Sequence, residues 1–513
     1  MPGDDPTTGR RAKIVATLGP ASEDAGTVGA LVAAGVDVVR LNMSHGDHAW
    51  HRERIRIVRE AARAAGRHLP IVVDLMGPRY RLGELAAPRR IERGETLRLA
   101  PPGTDGADLP LGSPEILDLL GPGERLLIDQ GLVELEILER DAGGVVARAR
   151  SSGTVSSRKG LNLPDSDIGF QITEKDRADL AFALAEGVDY LAASYVGRRD
   201  DVEQLRRAVA EAGGDVPLIS KLERSRAVDH LEGIVATSDA VMVARGDLGV
   251  DVPLHQVPVL QTRSVHAGRR AGKPVIVATQ MLESMMEQPR PTRAEVTDVA
   301  NAVLDGADAV MLSGETAAGK HPVAAVETMA RIVVEAEAYQ RQAAGSRDLQ
   351  RSSADGRAGA AGPGETIGTV LGRLDDESID VADMVSAAAV YTARELGACH
   401  VVAFSQSGFT GRLVARYRPS TPLTVFTMGE EVARRVALVW GVEPIALSDE
   451  LEHLDEVIEC VDRELVARGK AEGGEIIVVL MGAPIRERRQ TNLMRVHRVR
   501  VPGAPPPGPP AVE

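Results

Sequence analysis

Short apolar runs recur along the first 313 residues and alternate with stretches that have the spacing of amphipathic helices. Eight runs follow this pattern: KIVAT (13–17), VDVVR (36–40), PIVVD (70–74), VDYLAAS (188–194), PLISK (217–221), DAVMVA (239–244), KPVIVAT (273–279) and ADAVMLS (307–313). A continuous apolar run is typical of a strand buried on both faces, and its alternation with helices is typical of a parallel sheet. Eight such units predict a closed (β/α)8 TIM barrel.

One interval in this series is much longer than the others. It lies between the third and fourth runs, and its segment RLLIDQGLVELEILERDAGGVVARARSSG alternates apolar and polar residues around a Gly-Gly turn. This period is typical of antiparallel strands that bury one face. We therefore predict a barrel formed by residues 12–82 and 165–340. A β-domain of residues 83–164 is inserted on the loop after the third strand, at the face where barrel enzymes carry their sites.

The chain after residue 340 divides into a linker, a second domain and a tail. Residues 341–377 are rich in Ala, Gly, Ser and Arg without a hydrophobic period, which predicts a flexible linker or surface insertion. Residues 378–500 combine a long helical pattern with the strands HVVAF, PLTVF and EIIVVLM, which predicts a C-terminal α/β domain. Residues 1–11 are expected to form an N-terminal tail, and the Pro-rich residues 501–513 a disordered one.

Composition narrows the classes of function. The formal charge of -14 and an aromatic content of 3% argue against nucleic acid as a partner. Cys399 and Cys460 are the two cysteines, without CxxC spacing, which disfavours disulfides and zinc sites and favours a reducing compartment. The N-terminal MPGDDPTTGR lacks the apolar core of a secretion signal, and no apolar run reaches the ~18 residues of a membrane span. We expect a cytoplasmic protein with no membrane partner.

Polar side chains stand at the carboxyl end of one predicted barrel strand after another. Seven positions share this placement: Arg40, Asp74, Ser194, Lys221, Asp247, Thr279 and Ser313. Since barrel active sites are built at this end, the set as a whole predicts an active site. For any single member, a structural ion pair or hydrogen bond is the alternative.

The residue types in this set favour an anionic, metal-bound substrate. Glu223 and Asp247 supply two carboxylates, and such a pair with open positions suits Mg²⁺ that also bridges to substrate oxygens. Lys221 and Arg40 are cations that can stabilise charge developing on a phosphoryl group or an enolate. Gly246 permits close approach of the backbone, so that its amide can contact a substrate carboxylate.

Several long motifs resemble those of the pyruvate kinase family. They occur in order from about residue 12 to 335: KIVATLGPAS, RLNMSHG, ISKLER, MVARGDLGVD, KPVIVATQMLESM and PRPTRAEVTDVANAVLDGADAVMLSGETA. SAAAVYTARELGA and GRLVARYRP are similar to the regulatory domain of that family. The resemblance implies a TIM barrel with an inserted β-barrel lid domain and a C-terminal α/β domain, assembled as a homotetramer. It implies phosphoryl transfer from phosphoenolpyruvate to ADP, giving pyruvate and ATP in the last step of glycolysis.

The roles of the substrate-contacting residues follow from the resemblance. Lys221 would stabilise charge on the transferring phosphoryl group and on the enolate, and Arg40 would contact the phosphoryl group. Gly246 and Asp247 would hold the carboxylate end of phosphoenolpyruvate. Thr279 would bind substrate and help to relay a proton to the enolate carbon.

The same resemblance implies three further ligand sets. Glu223 and Asp247 would hold the catalytic Mg²⁺ or Mn²⁺. The nucleotide contacts would be Asn42, His45, Arg81 and, from the lid, Lys159. A monovalent cation, K⁺, would be held by Asn42, Ser44, Asp74 and the carbonyl of Leu75.

The K⁺ set departs from the pattern of the members that need this ion. Arg79 stands where K⁺-dependent members have glutamate and independent ones usually have lysine. Leu75 and Leu82 also resemble the independent type, whereas Met76 stands where that type usually has glutamine. Because arginine is a permanent cation, we predict that Arg79 supplies the charge that K⁺ otherwise provides and that K⁺ is dispensable. The alternative is that Arg79 points to solvent.

Other positions either depart from the family pattern or have an ordinary structural explanation. Gln130 replaces a usual acidic residue of the lid, and Gly197 stands where arginine is common. Thr292 and Glu295 form the spacing of a helix capping box and are left out of the catalytic set. An allosteric effector is expected at SQSGFTGR, with Ser405, Ser407, Gly408 and Thr410 as candidate contacts and a plain N-cap turn as the alternative. Three arginines of the last loop, MGAPIRERRQTN, could bind an anionic effector but are more consistent with a solvated surface: Arg486, Arg488 and Arg489.

Two other classes of function remain as alternatives. The chain could be a metal-dependent aldolase or lyase, although that interpretation leaves the lid and the nucleotide contacts unexplained. It could also be a weakened paralogue that binds metabolites as a regulator, which the presence of Lys221, Glu223, Asp247 and Thr279 argues against.

Overall fold

In the computed structural model, the eight predicted strands pair into one closed parallel barrel. The structure describes residues 9–141, 143–166, 168–354, 380–448, 451, 453–484 and 491–501. The barrel strands are β1 (Lys13–Thr17), β2 (Val38–Asn42), β3 (Ile71–Leu75), β13 (Tyr190–Ala193), β14 (Leu218–Leu222), β15 (Ala240–Ala244), β16 (Val275–Ala278) and β17 (Ala309–Leu312). The barrel closes where β1 pairs with β17, with Lys13 opposite Ala309. The predicted TIM barrel is confirmed.

Helices surround this barrel and return the chain from each strand to the next. They are α1 (Ala25–Ala33), α2 (His48–Ala64), α3 (Glu174–Ala185), α4 (Arg199–Glu211), α5 (Ser225–Asp229), α6 (Leu231–Thr237), α7 (Arg245–Asp251), α8 (Val257–Arg270), α9 (Arg293–Asp305), α10 (Gly314–Ala317) and α11 (Pro322–Ala354). Short 3₁₀ turns lie at Pro20–Ser22, Pro114–Asp118, Leu254–Gln256 and Glu283–Met286. The predicted capping box at the start of α9 is present, since Thr292 and Glu295 bond each other's backbone amides.

The inserted segment is a β-domain, as predicted. Its strands are β4 (Tyr80–Arg81), β5 (Arg89–Ile91), β6 (Thr96–Ala100), β7 (Leu109–Pro110), β8 (Arg125–Ile128), β9 (Val133–Asp141), β10 (Gly144–Ala149), β11 (Gly153–Val155) and β12 (Gly160–Asn162). Along β9 the apolar residues Val133, Leu135 and Ile137 are buried and alternate with more exposed ones, which explains the period read from the sequence. The strands pair as a seven-stranded sheet and a separate two-stranded ribbon. An antiparallel bridge between Leu82 and Leu111 joins the two edges of the larger sheet, β4 and β7, so that it closes as the β-barrel that we expected.

The linker expected at residues 341–377 differs from the structure at its beginning. Helix α11 continues to Ala354, so residues 341–354 are helical, and residues 355–379 lie outside the described residues. The first turns of α11 pack Val326, Met329 and Val333 into the barrel core. Because a helix nucleated by packing extends at little cost through residues such as Ala, Gln and Arg, a helix can continue where the hydrophobic period has ended.

The C-terminal domain is a five-stranded sheet flanked by helices. Its elements are α12 (Val381–Glu395), β18 (His400–Phe404), α13 (Phe409–Ala415), β19 (Leu423–Met428), α14 (Glu430–Val436), β20 (Val442–Leu447), α15 (Leu454–Ala467), β21 (Ile476–Met481) and β22 (Leu493–Arg498). The sheet order is β20-β19-β18-β21-β22, and β22 is antiparallel to β21. Strands β20 and β22, which form the two edges, were not predicted from the sequence. Edge strands tolerate Pro444 and exposed polar residues, so they lack a continuous apolar run.

The C-terminal domain covers the amino-terminal end of the barrel. Leu438 is fully buried in the cluster of side chains that fills the barrel interior, among them Tyr190 and Met242. The Tyr190 hydroxyl donates to the carbonyl of Arg435 at 2.7 Å. The opposite, carboxyl-terminal end faces the lid and is left for a site. Among the described residues, no helix has both the length and the apolar character that crossing a bilayer requires. The N-terminal residues 1–8 and the tail residues 502–513 lie outside the described part of the chain.

Candidate active site

Three of the predicted strand-end residues form a buried charge network at the carboxyl end of the barrel. The guanidinium of Arg40 donates from Nε to Asp74 Oδ2 at 2.8 Å and also lies 2.6 Å from that oxygen through Nη2. Lys221 Nζ lies 3.6 Å from the other oxygen, Oδ1. Burial by itself would raise the pKa of Asp74, but the charges of Lys221 and Arg40 outweigh it and hold that pKa below its ordinary value. The carboxylate is therefore ionised at neutral pH.

Lys221 is the centre of this network. Its Nζ donates to Ser194 Oγ at 2.7 Å and lies 3.1 Å from Glu223 Oε2. Burial opposes its charge, but the carboxylates of Asp74, Glu223 and Asp247 together raise the pKa of Lys221 well above its ordinary value. The ammonium group is thus a fixed cation. Of its surrounding groups, Asp74 lies on β3, Ser194 directly follows β13 and Glu223 directly follows β14, so contacts from three places on the barrel fix its position.

Glu223 and Asp247 have the properties of a divalent-cation pair. The backbone N–H of Tyr195 donates to Glu223 Oε1 at 2.6 Å, whereas Oε2 has no hydrogen-bond donor among the described residues despite its nearness to Lys221. Burial and the like charge of Asp247 raise the pKa of Glu223, although Lys221 opposes the shift. Asp247 is exposed in the first turn of α7. A cation between the two carboxylates would relieve their repulsion and satisfy Oε2.

These groups open into a cavity of about 270 Å³ between the barrel and the lid. Lys221, Glu223 and Asp247 line its barrel side, and Arg79 and Arg81 line it where the chain enters the lid. Within the described residues, no cluster of three or more His, Cys, Asp or Glu side chains could hold a metal ion without other ligands. A cation here would therefore take the rest of its oxygen ligands from substrate and water.

Thr279 and Gly246 meet beside this cavity. The N–H of Gly246 donates to Thr279 Oγ1 at 2.7 Å, and a Cβ added at Gly246 would lie 3.3 Å from the same oxygen. The threonine hydroxyl donates in turn to the carbonyl of Ala278 at 2.6 Å. The absence of a side chain at Gly246 thus allows the backbone at the start of α7 to approach the threonine hydroxyl closely.

Of the candidate nucleotide residues, one lines the same cavity and another is already paired. Arg81 lines the cavity, whereas Lys159 pairs with Asp129 at 2.8 Å. Partial burial and the positive charges of three arginines lower the pKa of His45: Arg79, Arg81 and Arg40. His45 therefore lies among the cations of the site and is neutral at pH 7. Asn42 Oδ1 accepts from the backbone N–H of Ser44 at 3.1 Å.

The oxygens of the candidate K⁺ set are only partly free. Asp74 Oδ1 is buried and has no hydrogen-bond donor among the described residues. The carbonyl of Leu75 accepts from Ser194 Oγ at 3.0 Å, and Asn42 is occupied by Ser44. Arg79 is exposed and lines the cavity, and no described carboxylate pairs with it. A permanent cation thus faces the site from the side of the lid.

Ser194 was among the predicted strand-end residues, whereas the backbone contact of Tyr195 was not predicted from the sequence. Ser194 links Lys221 to Leu75, and Tyr195 orients Glu223 through its backbone, but a backbone contact has no signature in residue type. Ser313 donates its N–H to Glu315 at 2.7 Å in the turn that opens α10, and its buried Oγ has no hydrogen-bond partner among the described residues. Gly197 donates its N–H to Asp201 in the turn that opens α4, and Gln130 lines the cavity beside Asp129.

The candidate effector residues form a tight turn before a seven-residue helix, α13. Gly408 has a φ of 77°, and a Cβ there would lie 2.2 Å from Val436, so packing alone requires glycine. Thr410 shares a hydrogen bond of 2.9 Å with Thr491. Ser405 donates its N–H to the carbonyl of Phe426. The effector assignment to Ser405, Ser407, Gly408 and Thr410 stays a prediction. The three arginines interpreted as a solvated surface, Arg486, Arg488 and Arg489, lie outside the described residues.

Comparison with known proteins gives a consistent result over both main domains. Residues 9–326 match the family model "Pyruvate kinase, barrel domain", and residues 383–497 match "Pyruvate kinase, alpha/beta domain". The pyruvate kinase of Corynebacterium glutamicum is 43% identical over 492 residues, which are 95% of this chain and 97% of the relative. That of Mycobacterium tuberculosis is 40% identical and covers 96% and 98%. A crystal structure of a pyruvate kinase from Cryptosporidium parvum superimposes with a TM-score of 0.85 at 31% identity, covering 97% of this chain and 98% of the other.

Proposed function

The chain belongs to the pyruvate kinase family and functions as a pyruvate kinase, and from this premise we propose that phosphoryl transfer from phosphoenolpyruvate to ADP takes place in the cavity between barrel and lid. One observation carries the assignment: Lys221 is a fixed cation, and its neighbours Asp74 and Glu223 each turn toward it one buried carboxylate oxygen that has no hydrogen-bond donor among the described residues. Such a centre combines positive charge with free oxygens, as an anionic substrate bound with a metal requires.

In the proposed mechanism, the barrel residues stabilise the charge that moves during transfer. Lys221 and Arg40 stabilise the transferring phosphoryl group and the enolate oxygen that it leaves. Glu223 and Asp247 would hold Mg²⁺ or Mn²⁺, which neutralises charge on phosphoryl oxygens when bound. The backbone at Gly246 and Asp247 orients the carboxylate of phosphoenolpyruvate.

Two further steps belong to residues beside this centre. Thr279 is proposed to bind substrate and to help a proton reach the enolate carbon, which converts the enolate to pyruvate and draws the transfer forward. Contacts to the phosphates of ADP are proposed for residues at the barrel rim and on the lid: Asn42, His45, Arg81 and Lys159. For Lys159 this requires that its pair with Asp129 open when nucleotide binds.

The cation requirement and the assembly are proposed in the same terms. K⁺ would lie at Asn42, Ser44, Asp74 and the Leu75 carbonyl, but the exposed guanidinium of Arg79 on the cavity wall supports an enzyme that does not need it. We propose that the protein is a homotetramer, as its resemblance to the pyruvate kinase family implies. We propose that the protein is located in the cytoplasm, since the reaction belongs to glycolysis. An effector contact at Ser405, Ser407, Gly408 and Thr410 remains part of the proposal.

One assay tests this function and its metal site together. Pyruvate formation from phosphoenolpyruvate should require ADP, and Glu223→Gln and Asp247→Asn should each raise the Mg²⁺ concentration for half-maximal rate by on the order of tenfold or more. Unchanged metal titrations in both variants would remove these residues from the metal site. Cleavage of a larger oxo-acid would indicate an aldolase, and tight metabolite binding without turnover would indicate a regulator.

A further inference from the structure

Two consecutive residues at the end of β16 have left-handed backbone conformations. Thr279 has a φ of 69° and Gln280 a φ of 55°. For a β-branched residue such a φ is a genuine outlier, because Cβ and the branched side chain crowd the backbone. A conformation of this kind persists only where its surroundings impose it, and it is often found at functional sites. The contacts that hold Thr279 in this conformation are therefore relevant to its proposed role in the reaction.

Arg245 and Gly246 hold Thr279 from two sides. Arg245 donates from Nη2 to the carbonyl of Thr279 at 2.7 Å and to that of Gln280 at 3.3 Å. Gly246, the next residue along the chain, donates its N–H to the Thr279 hydroxyl at 2.7 Å. The first contacts fix the direction of the strained peptide carbonyls, and the second fixes the hydroxyl.

The guanidinium of Arg245 is itself held by contacts on the side away from Thr279. Its Nη1 donates to Asp298 Oδ1 at 2.6 Å and to Gln261 Oε1 at 3.2 Å, and the residue is 9% exposed. Its Nε has no hydrogen-bond partner among the described residues. The planar guanidinium thus joins Asp298 on α9 to the loop that carries Thr279. Lysine has one nitrogen and could not make both sets of contacts.

We propose that Arg245 is a positioning residue that fixes Thr279 in its strained conformation, so that the hydroxyl lies where the enolate carbon is protonated. This rests on the proposed function, since it takes the proton-relay role of Thr279 as given. It also accounts for the arginine in MVARGDLGVD, which the metal and substrate roles leave unexplained.

The first test separates proton relay from phosphoryl transfer. With Mg²⁺ and pyruvate in D₂O, a C3–H bond of pyruvate breaks, the proton leaves through Thr279, the enolate keeps the electron pair, and a deuteron from solvent returns to C3. NMR measures this as loss of the methyl proton signal. Arg245→Lys should slow exchange and kcat together by on the order of 10²-fold, while KM for phosphoenolpyruvate stays within about threefold. Full exchange in this variant would overturn the proposal.

The second test is rescue. Glycine adopts left-handed conformations without strain, so Gln280→Gly should lower the need for an external clamp. Gln280→Gly alone should leave kcat within about twofold, and combined with Arg245→Lys it should restore kcat by on the order of tenfold. Absence of rescue in a folded double variant would count against the proposal. Arg263→Lys is the matched control, since Arg263 pairs with Glu232 on the protein surface and contacts no site residue.

Two more variants keep the outcome decisive. If Arg245→Lys does not fold, Asp298→Ala acts on the same contact without touching Thr279, and it should lower kcat by on the order of tenfold with the same rescue. An unaltered kcat there would overturn the proposal. Thr279→Ala with full exchange would instead overturn the proposed role of Thr279. Full exchange in Arg245→Lys beside an inactive Thr279→Ala would overturn this inference alone.

Discussion

The two ends of the barrel carry similar charged side chains and use them differently. At the amino-terminal end, four aspartates stand before strands, and each accepts a backbone N–H of the neighbouring strand at 2.8 to 3.0 Å and pairs with arginine. They are Asp37 with Arg10 and Arg67, Asp189 with Arg59 and Arg434, Asp239 with Arg206, and Asp308 with Arg418. These carboxylates receive donors from the fold itself.

At the carboxyl-terminal end, the carboxylates are left incomplete. Asp74 and Glu223 each keep one buried oxygen without a donor among the described residues, and Asp247 is exposed to the cavity. Cavity volume alone would favour a site at the opposite end, because a space of about 1320 Å³ lies at the amino-terminal side and one of about 270 Å³ at the candidate active site. In the larger space, Asp37 has an arginine partner on each oxygen, and the buried atoms without a partner in the described part of the chain are nitrogens, Arg10 Nε and His400 Nδ1. Among the described residues, buried carboxylate oxygens without a hydrogen-bond donor, and not cavity volume or residue type, distinguish the functional end.

The largest expected effect comes from removing the cation at the functional end. Lys221→Met keeps the length of the side chain and removes the charge that we propose stabilises the transition state. We expect kcat to fall by on the order of 10²-fold or more. The thermal unfolding profile should show that the variant folds, although Asp74 and Glu223 lose a partner. A decrease of only a few-fold would remove Lys221 from the mechanism and weaken the distinction between the two ends.

A smaller effect is expected from the cation on the cavity wall. If Arg79 supplies the charge of K⁺, the enzyme should keep nearly full activity in a buffer whose only monovalent cation is a tetraalkylammonium ion. Arg79→Glu should acquire a dependence on KCl of on the order of tenfold, because it replaces a fixed positive charge with a carboxylate. Rates measured with and without KCl decide the point. Activation of the unaltered enzyme by KCl to a similar extent would contradict this role of Arg79.

The sequence was informative where residue type and chain position determine the contact. Strand-end residues such as Lys221 and Asp74 meet because parallel strands end at one edge, so their neighbourhood follows from the strand pattern. The same reasoning does not separate Asp74 from Ser313, whose N–H serves an ordinary helix start. Nor does it give the left-handed backbone at Thr279, which results from contacts across the fold and not from its own residue type.

Boundaries and edges were the less predictable part of the fold for a similar reason. The edge strands β20 and β22 are recognised by their neighbours in space, since their own sequences alternate with polar residues or contain Pro444. Helix α11 extends past its hydrophobic period because its docked first turns stabilise the rest. In both cases tertiary packing decides what local pattern leaves open.

The smallest expected effect on activity comes from replacing Asp239, which stands just before strand β15, whereas Asp247 stands shortly after the same strand. Strand β15 begins after Asp239, which accepts the N–H of Leu218 at 2.9 Å and pairs with Arg206 at 2.9 Å, and it ends just before the turn that carries Asp247. Burial opposes ionisation of Asp239, but the Leu218 amide and Arg206 outweigh it and hold its pKa below the ordinary value. A carboxyl whose pKa is lowered by folding stabilises the fold at pH values above its unfolded pKa. This stabilisation is lost as the pH falls through the folded pKa.

Asp239→Ala should therefore lower stability without lowering activity. It leaves the amide of Leu218 without its acceptor, which costs about 1–3 kcal/mol of unfolding free energy, while kcat and the Mg²⁺ requirement should stay within about twofold. Denaturant unfolding at several pH values measures the first quantity. The difference from the unaltered protein should shrink as the pH falls below about 4, where the carboxylate of the unfolded chain is protonated. Asp247→Asn, in the helix turn that follows the same strand, should show the reverse, with unchanged stability and a higher Mg²⁺ requirement. A large loss of kcat in a folded Asp239→Ala enzyme would contradict this prediction, because it would show that charge at the amino-terminal end of the barrel affects catalysis.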